Sequence, residues 1–261
     1  MNYHWNWHVF FEPSPNGTGT YLDMLLSGLV VTIVTALAAW VIALVTGTVV
    51  GVMRTLPSKA ANLFGFCYVE FFRNMPLLVQ LFLWFFVLPE LLPSSWGMWL
   101  KQLRDGPFYT AAIGIGLFMS ARVAEQLRAA IGTGLFMSAR VAEQTRAGVN
   151  SLPRGQRLAA TALGLRPSQV YRYVLLPIAF RIILPPLTSE FLSTIKNTSV
   201  ALTIGLIELT AEARAMQEFS FQVFEAFTAA TVLYLLINIV VVIAMHFVER
   251  GVAIPGYITG K

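Results

Sequence analysis

From Met24 to Met53 the chain runs 30 residues without a single charge. A helix rises about 1.5 Å per residue and the hydrocarbon layer of a bilayer is about 30 Å thick, so this stretch suffices for one tilted crossing. A second uncharged run, "AFTAATVLYLLINIVVVIAM", extends from Ala226 to Met245. Between them lie three further apolar regions. One covers Ala60 to Leu88 and is interrupted by Glu70 and Arg73, one begins at Phe108, and one begins near Leu175 and carries Glu190 and Lys196. The pattern predicts an all-α membrane protein with about five transmembrane helices. Composition agrees, since 56% of the 261 residues are hydrophobic and 12% charged, too apolar for a soluble domain of this length.

The remaining charge is sorted by position. A net charge of +5 would suit nucleic acid, but the basic residues stand between apolar runs, where the positive-inside rule expects them, and no nucleic-acid partner is implied. Arg146, Arg154, Arg157, Arg166 and Arg172 place the connector after the third region in the cytoplasm. Alternation then puts the N-terminus outside and the tail "HFVERGVAIPGYITGK" inside, in keeping with the acidic, arginine-free first 23 residues. The N-terminus lacks the basic start and small-residue cleavage site of a signal peptide, and its Trp5, Trp7, Phe10 and Phe11 suit a segment lying against lipid headgroups. His4 and His8 are four apart without a third ligand in view, so no metal site is expected. Cys67, the single cysteine, reads as a small packing residue. Glu70 and Arg73, one turn apart, are expected to pair, and Gly47 and Gly51 form a small-xxx-small face suited to helix packing within the fold.

The chain also repeats itself. "GLFMSARVAEQLRAAIGT" from Gly116 to Thr133 is followed at once by "GLFMSARVAEQTRAGVNS" from Gly134 to Ser151. Beyond it, "NSLPRGQRLAATALGLRPSQVYRYVLLP" joins small residues (Ala159, Ala160, Ala162) to Gly164, where a sharp turn is permitted, and to Pro167, which can open the next helix. Such a segment can sit close in the cleft of a partner.

That segment resembles the EAA loop of ATP-binding-cassette importer permeases, with Ala159, Ala160, Gly164 and Pro177 at the pattern positions and Leu158 where the family has a glutamate. "YVEFFRNMPLLVQLF" from Tyr68 and "TIKNTSVALTIG" from Thr194 resemble the polar amino-acid uptake branch of these permeases, so the likeness covers nearly the whole chain. The "WNW", "ARVAEQ" and "YRYVLLP" segments bring it nearest to the glutamate/aspartate permeases. The resemblance implies a type I importer permease fold in the bacterial inner membrane. It divides the chain into a periplasmic interfacial segment (1–23), a transmembrane permease domain (24–250) with a cytoplasmic coupling loop near 146–177, and a cytoplasmic tail (251–261). It implies a second permease subunit or a second copy, two ATP-binding subunits, a periplasmic substrate-binding protein and membrane lipid as partners. No cofactor is expected on this chain. It has no G-x-x-x-x-G-K-[ST] phosphate loop, so it is not expected to be an enzyme, and ATP falls to the partner subunits.

Ionisable residues inside a span are costly and by default mark a pathway. Those candidates are Arg122 or Arg140, Glu190 and Lys196. Glu190 and Asn197 are seven apart and share a helix face with Thr194. In relatives that carry cationic amino acids an aspartate commonly matches Asn197, and many relatives have Tyr where "SARVAEQ" has Arg. Both departures point to an anionic side chain on the substrate, because Arg presents a planar fork suited to a carboxylate. The candidate substrate site is therefore Arg122, Glu190, Asn197 and Thr194, with Arg140 in place of Arg122 if the second copy of the repeat occupies the site. L-Glutamate and L-aspartate are the expected substrates, with glutamine or another polar amino acid as the alternative. A structural pairing of Arg122 with Glu125 or Glu190 stays open, and Lys196 reads as snorkelling or bonded to carbonyls. The first copy makes the better span, because a span centred on the second must also bury Arg128. One unbroken helix through both copies would carry the loop about 27 Å further from the bilayer, so the extra segment is expected to fold back or bulge. A secondary carrier would need more spans and a repeat of whole bundles, and a channel would need a filter-like segment.

Overall fold

The computed structural model describes residues 3–144 apart from 16 and 18, then 167–170, 172–173 and 176–252. The described residues form an all-helical bundle. After a 3-10 turn at Trp7–Phe11 come α1 (Tyr21–Met53), α2 (Lys59–Asn74), α3 (Leu77–Phe82), α4 (Leu88–Leu91), α5 (Ser94–Lys101) and α6 (Gly106–Gln144). There follow α7 (Pro167–Val170), α8 (Leu176–Asn197), a 3-10 segment at Thr198–Ile204, α9 (Leu209–Ser220) and α10 (Val223–Val252).

A capping box starts α1. Asp23 N–H donates to Thr20 Oγ1 at 3.3 Å, and Thr20 N–H donates to Asp23 Oδ2 at 2.9 Å. The helix then offers two faces. Ala36, Ala39, Ala43, Gly47 and Gly51 are buried, whereas Val30, Val34, Leu37, Val41, Val45 and Val49 stand exposed at helical spacing as a lipid-facing stripe. The small residues let α6 approach closely. A Cβ on Gly47 would lie 2.7 Å from Val123 Cβ and 2.8 Å from the Ser120 carbonyl oxygen, and one on Gly51 would lie 3.0 Å from the Ala124 carbonyl oxygen. Packing replaces the hydrophobic effect as the force that holds helices together in lipid, so this backbone contact is the spine of the fold. Gly47 and Gly51 thus serve packing within the chain, as their spacing predicts.

Three of the described helices are long and apolar enough to cross a membrane, namely α1, the Gly106–Ala129 part of α6, and α10. The second apolar region differs from a straight span. It is a pair of helical segments, α2 and Leu77–Leu91, bent by 104°. Pro76 is the cause, because its ring disfavours helical geometry at the preceding residue and Met75 is extended, with ψ 129°. The bend frees carbonyls at the end of α2, and buried Gln80 collects them, its Nε2 donating to Phe72 O at 3.0 Å and Met75 O at 2.9 Å. The fourth region is α8, with Pro185 and Pro186 inside it.

Other expectations are corrected. α6 runs unbroken to Gln144, 39 residues, through most of the second repeat copy, instead of folding back. A shift of 18 residues is about five whole turns, so the copy continues every face of the helix. No proline interrupts the segment before Pro153. Cys67 is exposed rather than packed. Glu70 accepts from Asn74 Nδ2 at 2.7 Å and makes no ion pair with exposed Arg73 among the described residues. A carboxylate and an amide four residues apart meet on one face without stretching a long arginine side chain.

The N-terminal segment is fastened down. Tyr3 hydroxyl and Asn6 N–H, the latter at 2.7 Å, both donate to the buried Glu225 carboxylate at the start of α10. Val9 packs beneath with Leu25, Leu209 and Met216, while Trp5 and Trp7 stack outside at 5.1 Å and remain half exposed.

Candidate functional site

α6 and α8 face each other along one polar seam. Met119, Arg122 and Gln126 share a face of α6 at helical spacing, and Glu190, Thr194 and Asn197 share a face of α8. Arg122 Nη1 stands 3.3 Å from Glu190 Oε2, and Gln126 Nε2 donates to Glu190 Oε1 at 3.1 Å. Glu190 is therefore held from two sides. The Arg122 guanidinium also lies over the Phe118 ring, 5.4 Å from its centroid. At the next level Asn197 Nδ2 approaches Met119 Sδ at 3.4 Å.

The seam keeps unused hydrogen-bonding capacity. Among the described residues Arg122 donates only through Nη1, and 43% of its side chain is exposed against 16% for Glu190. A guanidinium has five donors in a rigid fork, so most of this one is available to an incoming carboxylate. Among the described residues Gln126 Oε1 is buried without a partner, and Asn197 makes only its weak sulfur contact. Thr194 stands on the same face but is fully buried, its hydroxyl donating to the Glu190 carbonyl at 2.9 Å. Lys196 is exposed.

Of the sequence candidates, Arg122, Glu190, Thr194 and Asn197 thus come together along the α6–α8 interface. Arg122 meets Glu190 and not Glu125, which instead bridges Arg54 and Arg128. Arg140 is on the last turns of α6, and its side chain lies outside the described residues. Ala159, Ala160 and Gly164 also lie outside them, while Pro177 is the second residue of α8, where its missing N–H costs nothing. Gln126 was not among the candidates. Its place four residues after Arg122 was the available signal, since that spacing stacks side chains on one face.

A second polar cluster was also missed. Glu208, fully buried, caps α9 by accepting from Thr210 N–H at 3.0 Å and Ala211 N–H at 2.9 Å, and it accepts from the Tyr234 hydroxyl of α10 at 2.8 Å. Thr32 of α1 reaches it at 3.5 Å. Glu208 itself stands in the connection before α9, and through Thr32 and Tyr234, both well inside the long helices α1 and α10, the cluster ties three elements together.

The profile of the family described as "Binding-protein-dependent transport system inner membrane component" matches residues 43–254. The glutamate/aspartate import permease protein GltJ of Escherichia coli (strain K12) is 44% identical over the full length of both chains. The glutamine transport system permease protein GlnP of the same strain is 31% identical over 89% of this chain and 94% of its own. Among solved structures, a chain of an amino acid ABC transporter with histidines superposes with a TM-score of 0.68 at 26% identity, covering 88% of this chain and 94% of that one. The methionine transporter MetNI in an inward-facing form shares the fold, with a TM-score of 0.60 at 17% identity, over 90% of this chain and 96% of that one. With its helices arranged as in those transporters and the family profile spanning most of its length, the chain belongs to the inner-membrane components of binding-protein-dependent transport systems, the permease subunits of ATP-binding-cassette amino-acid importers.

Proposed function

We propose that this chain forms the membrane pathway of an ATP-driven importer for L-glutamate and L-aspartate, and that Arg122 and Glu190 receive the substrate. The observation that carries this is the half-open Arg122–Glu190 pair, read beside full-length similarity to a glutamate/aspartate permease. An amino acid brings both an ammonium and a carboxylate. It can part the pair and satisfy each member with its own opposite charge, so neither is left unpaired in a low-dielectric site. Glu190 takes the ammonium. The Arg122 fork takes a carboxylate, and its spare donors, with Gln126 and Asn197, accommodate the second carboxylate that distinguishes glutamate and aspartate from neutral amino acids.

The chain itself is not an enzyme. ATP is bound and hydrolysed by two separate subunits, which dock on the loop carrying Ala159, Ala160 and Gly164, with Pro177 opening the helix that leads back from it. A periplasmic protein delivers substrate, and a second permease subunit or second copy completes the pathway. The N-terminus lies in the periplasm and the C-terminus in the cytoplasm. The first repeat copy supplies the site arginine, because the membrane-length apolar part of α6 ends at Ala129. These assignments follow the positive-inside distribution and the resemblance of the loop.

The test is uptake of labelled glutamate and glutamine by cells that express the whole transporter, with the chain as written, with Arg122→Tyr, and without residues 134–151. Loss of glutamate uptake in R122Y, with assembly intact, is the expected result. Unchanged glutamate uptake in R122Y overturns the role of Arg122. Preferential uptake of glutamine by the chain as written would favour the reading that the 31% identical glutamine permease suggests. Transport only by the shortened chain would assign the second repeat copy no working part.

A further inference from the structure

Where α1 ends and α2 begins, the surface forms an open cavity of about 370 Å³ whose wall is basic. Arg54, Lys59 and Arg128 line it, with Ser58, Asn62 and Phe66, and among the described residues no acidic side chain joins its lining. Arg54 is only 5% exposed. Its Nη1 pairs with Glu125, yet its Nε is buried without any acceptor among the described residues. Glu125 is shared, its other oxygen lying 3.8 Å from Arg128. Among the described residues one carboxylate therefore serves two guanidiniums, and with Lys59 the cavity holds two positive charges beyond that carboxylate. Cationic charge in excess of its carboxylate partners is costly beside an apolar wall, which points to an anion.

The surroundings say what kind of anion. Ser58 caps α2, accepting from Ala61 N–H at 3.4 Å, so the positive end of a 16-residue helix adds to the field at the cavity. Asn62 Nδ2 donates to the Arg54 carbonyl at 3.4 Å and holds the turn in place. The Arg54 stem crosses directly over Gly65, where any Cβ would come within 2.6 Å of Arg54 Cγ. Leu63 and Phe66, also lining the cavity, are 64% and 48% exposed and present an apolar wall beside the charged one. A ligand with a phosphate at one end and hydrocarbon at the other matches both walls, and basic pockets between membrane helices are recognised sites for acidic headgroups.

We propose that this cavity binds the phosphodiester headgroup of an anionic phospholipid, with Lys59 and Arg128 around the phosphate, the buried Arg54 charge behind them and the acyl chains along Leu63 and Phe66. Its assignment to the cytoplasmic leaflet rests on the orientation proposed above, whereas binding itself does not depend on the transported substrate. The experiment is native mass spectrometry of the intact transporter, purified in mild detergent and titrated with dioleoylphosphatidylglycerol or dioleoylphosphatidylcholine. Comparison is made with the double variant Lys59→Gln/Arg128→Gln and with a control that loses two charges elsewhere, Lys101→Gln/Arg104→Gln. Arg54 is left in place because it joins α1 to α6 through Glu125. Phosphatidylglycerol should be retained in preference to phosphatidylcholine, and K59Q/R128Q should weaken retention roughly 25-fold, about fivefold per cation, while the control does not. Equal retention of both lipids, or equal loss in both double variants, overturns the proposal. Displacement of bound phosphatidylglycerol by excess inorganic phosphate would assign the site to free phosphate and overturn the lipid assignment. Uptake of glutamate is a separate readout, so failure of the transport reading leaves this result interpretable.

Discussion

Glu208 and Glu190, two of the carboxylates in the interior of this bundle, are treated in opposite ways. Glu208 is fully buried, and its oxygens are taken up by two backbone N–H groups and a tyrosine. Glu190 is partly exposed and is held by Arg122 and Gln126, side chains that can rotate away. The difference teaches where function can reside. A saturated network rigidifies the elements it joins, whereas a pair with spare donors and an open side can exchange partners. Glu208 locks α1, α9 and α10 together, and Glu190 sits on a seam that can open.

The comparison breaks if the two sites respond alike. Glu190→Gln should lower uptake by about 100-fold, the usual scale for truncating one member of a charge pair, with thermal unfolding of the purified transporter little changed. Glu208→Ala should do the reverse first. It strands two N–H donors of the α9 cap and a tyrosine hydroxyl, and should cost about 3 kcal/mol in the same unfolding measurement. A large stability loss in E190Q, or full stability in E208A, would erase the distinction.

Smaller effects sharpen the picture. Asn197→Asp should shift competition uptake away from glutamate by about tenfold, since a second carboxylate facing Glu190 along α8 repels an anionic side chain. Gln80→Ala should cost about 1–2 kcal/mol, because it leaves the carbonyls of Phe72 and Met75 without their donor at the bend. An unchanged competition profile, or an unchanged unfolding midpoint, would show that neither amide matters beyond its volume.

Much of this was legible in the residues. The uncharged runs give α1 and α10, and the spacing of Glu190, Thr194 and Asn197 puts them on one face of α8. The glycines at 47 and 51 announce a close helix contact, although not that α6 would fill it. The 104° bend at Met75–Pro76 was hidden because hydropathy records burial and not direction, so α2 and α3 read as one span. Glu208 was overlooked because it stands outside the apolar runs, where a lone glutamate looks like any solvated charge. Arg54, directly after the uncharged run of α1, has the same look of a flanking charge, although the fold buries it.

The sequence by itself determined that this chain lives in a membrane, which segments are apolar enough to enter it, and which permease family its motifs resemble. The first two follow from local composition and periodicity, each measured within one element, and the third from the resemblance of quoted motifs. Only the tertiary structure decided that Arg122 faces Glu190 rather than Glu125, that Gln126 joins them, and that Glu208 ties three elements together. Partners in these pairs lie 26 to 176 residues apart or on opposing helices, and no periodicity within a helix fixes how it is rotated against its neighbour. That rotation is set by packing, through contacts such as Gly47 against Ser120 and Val123, and the polar groups meet where the packing brings them.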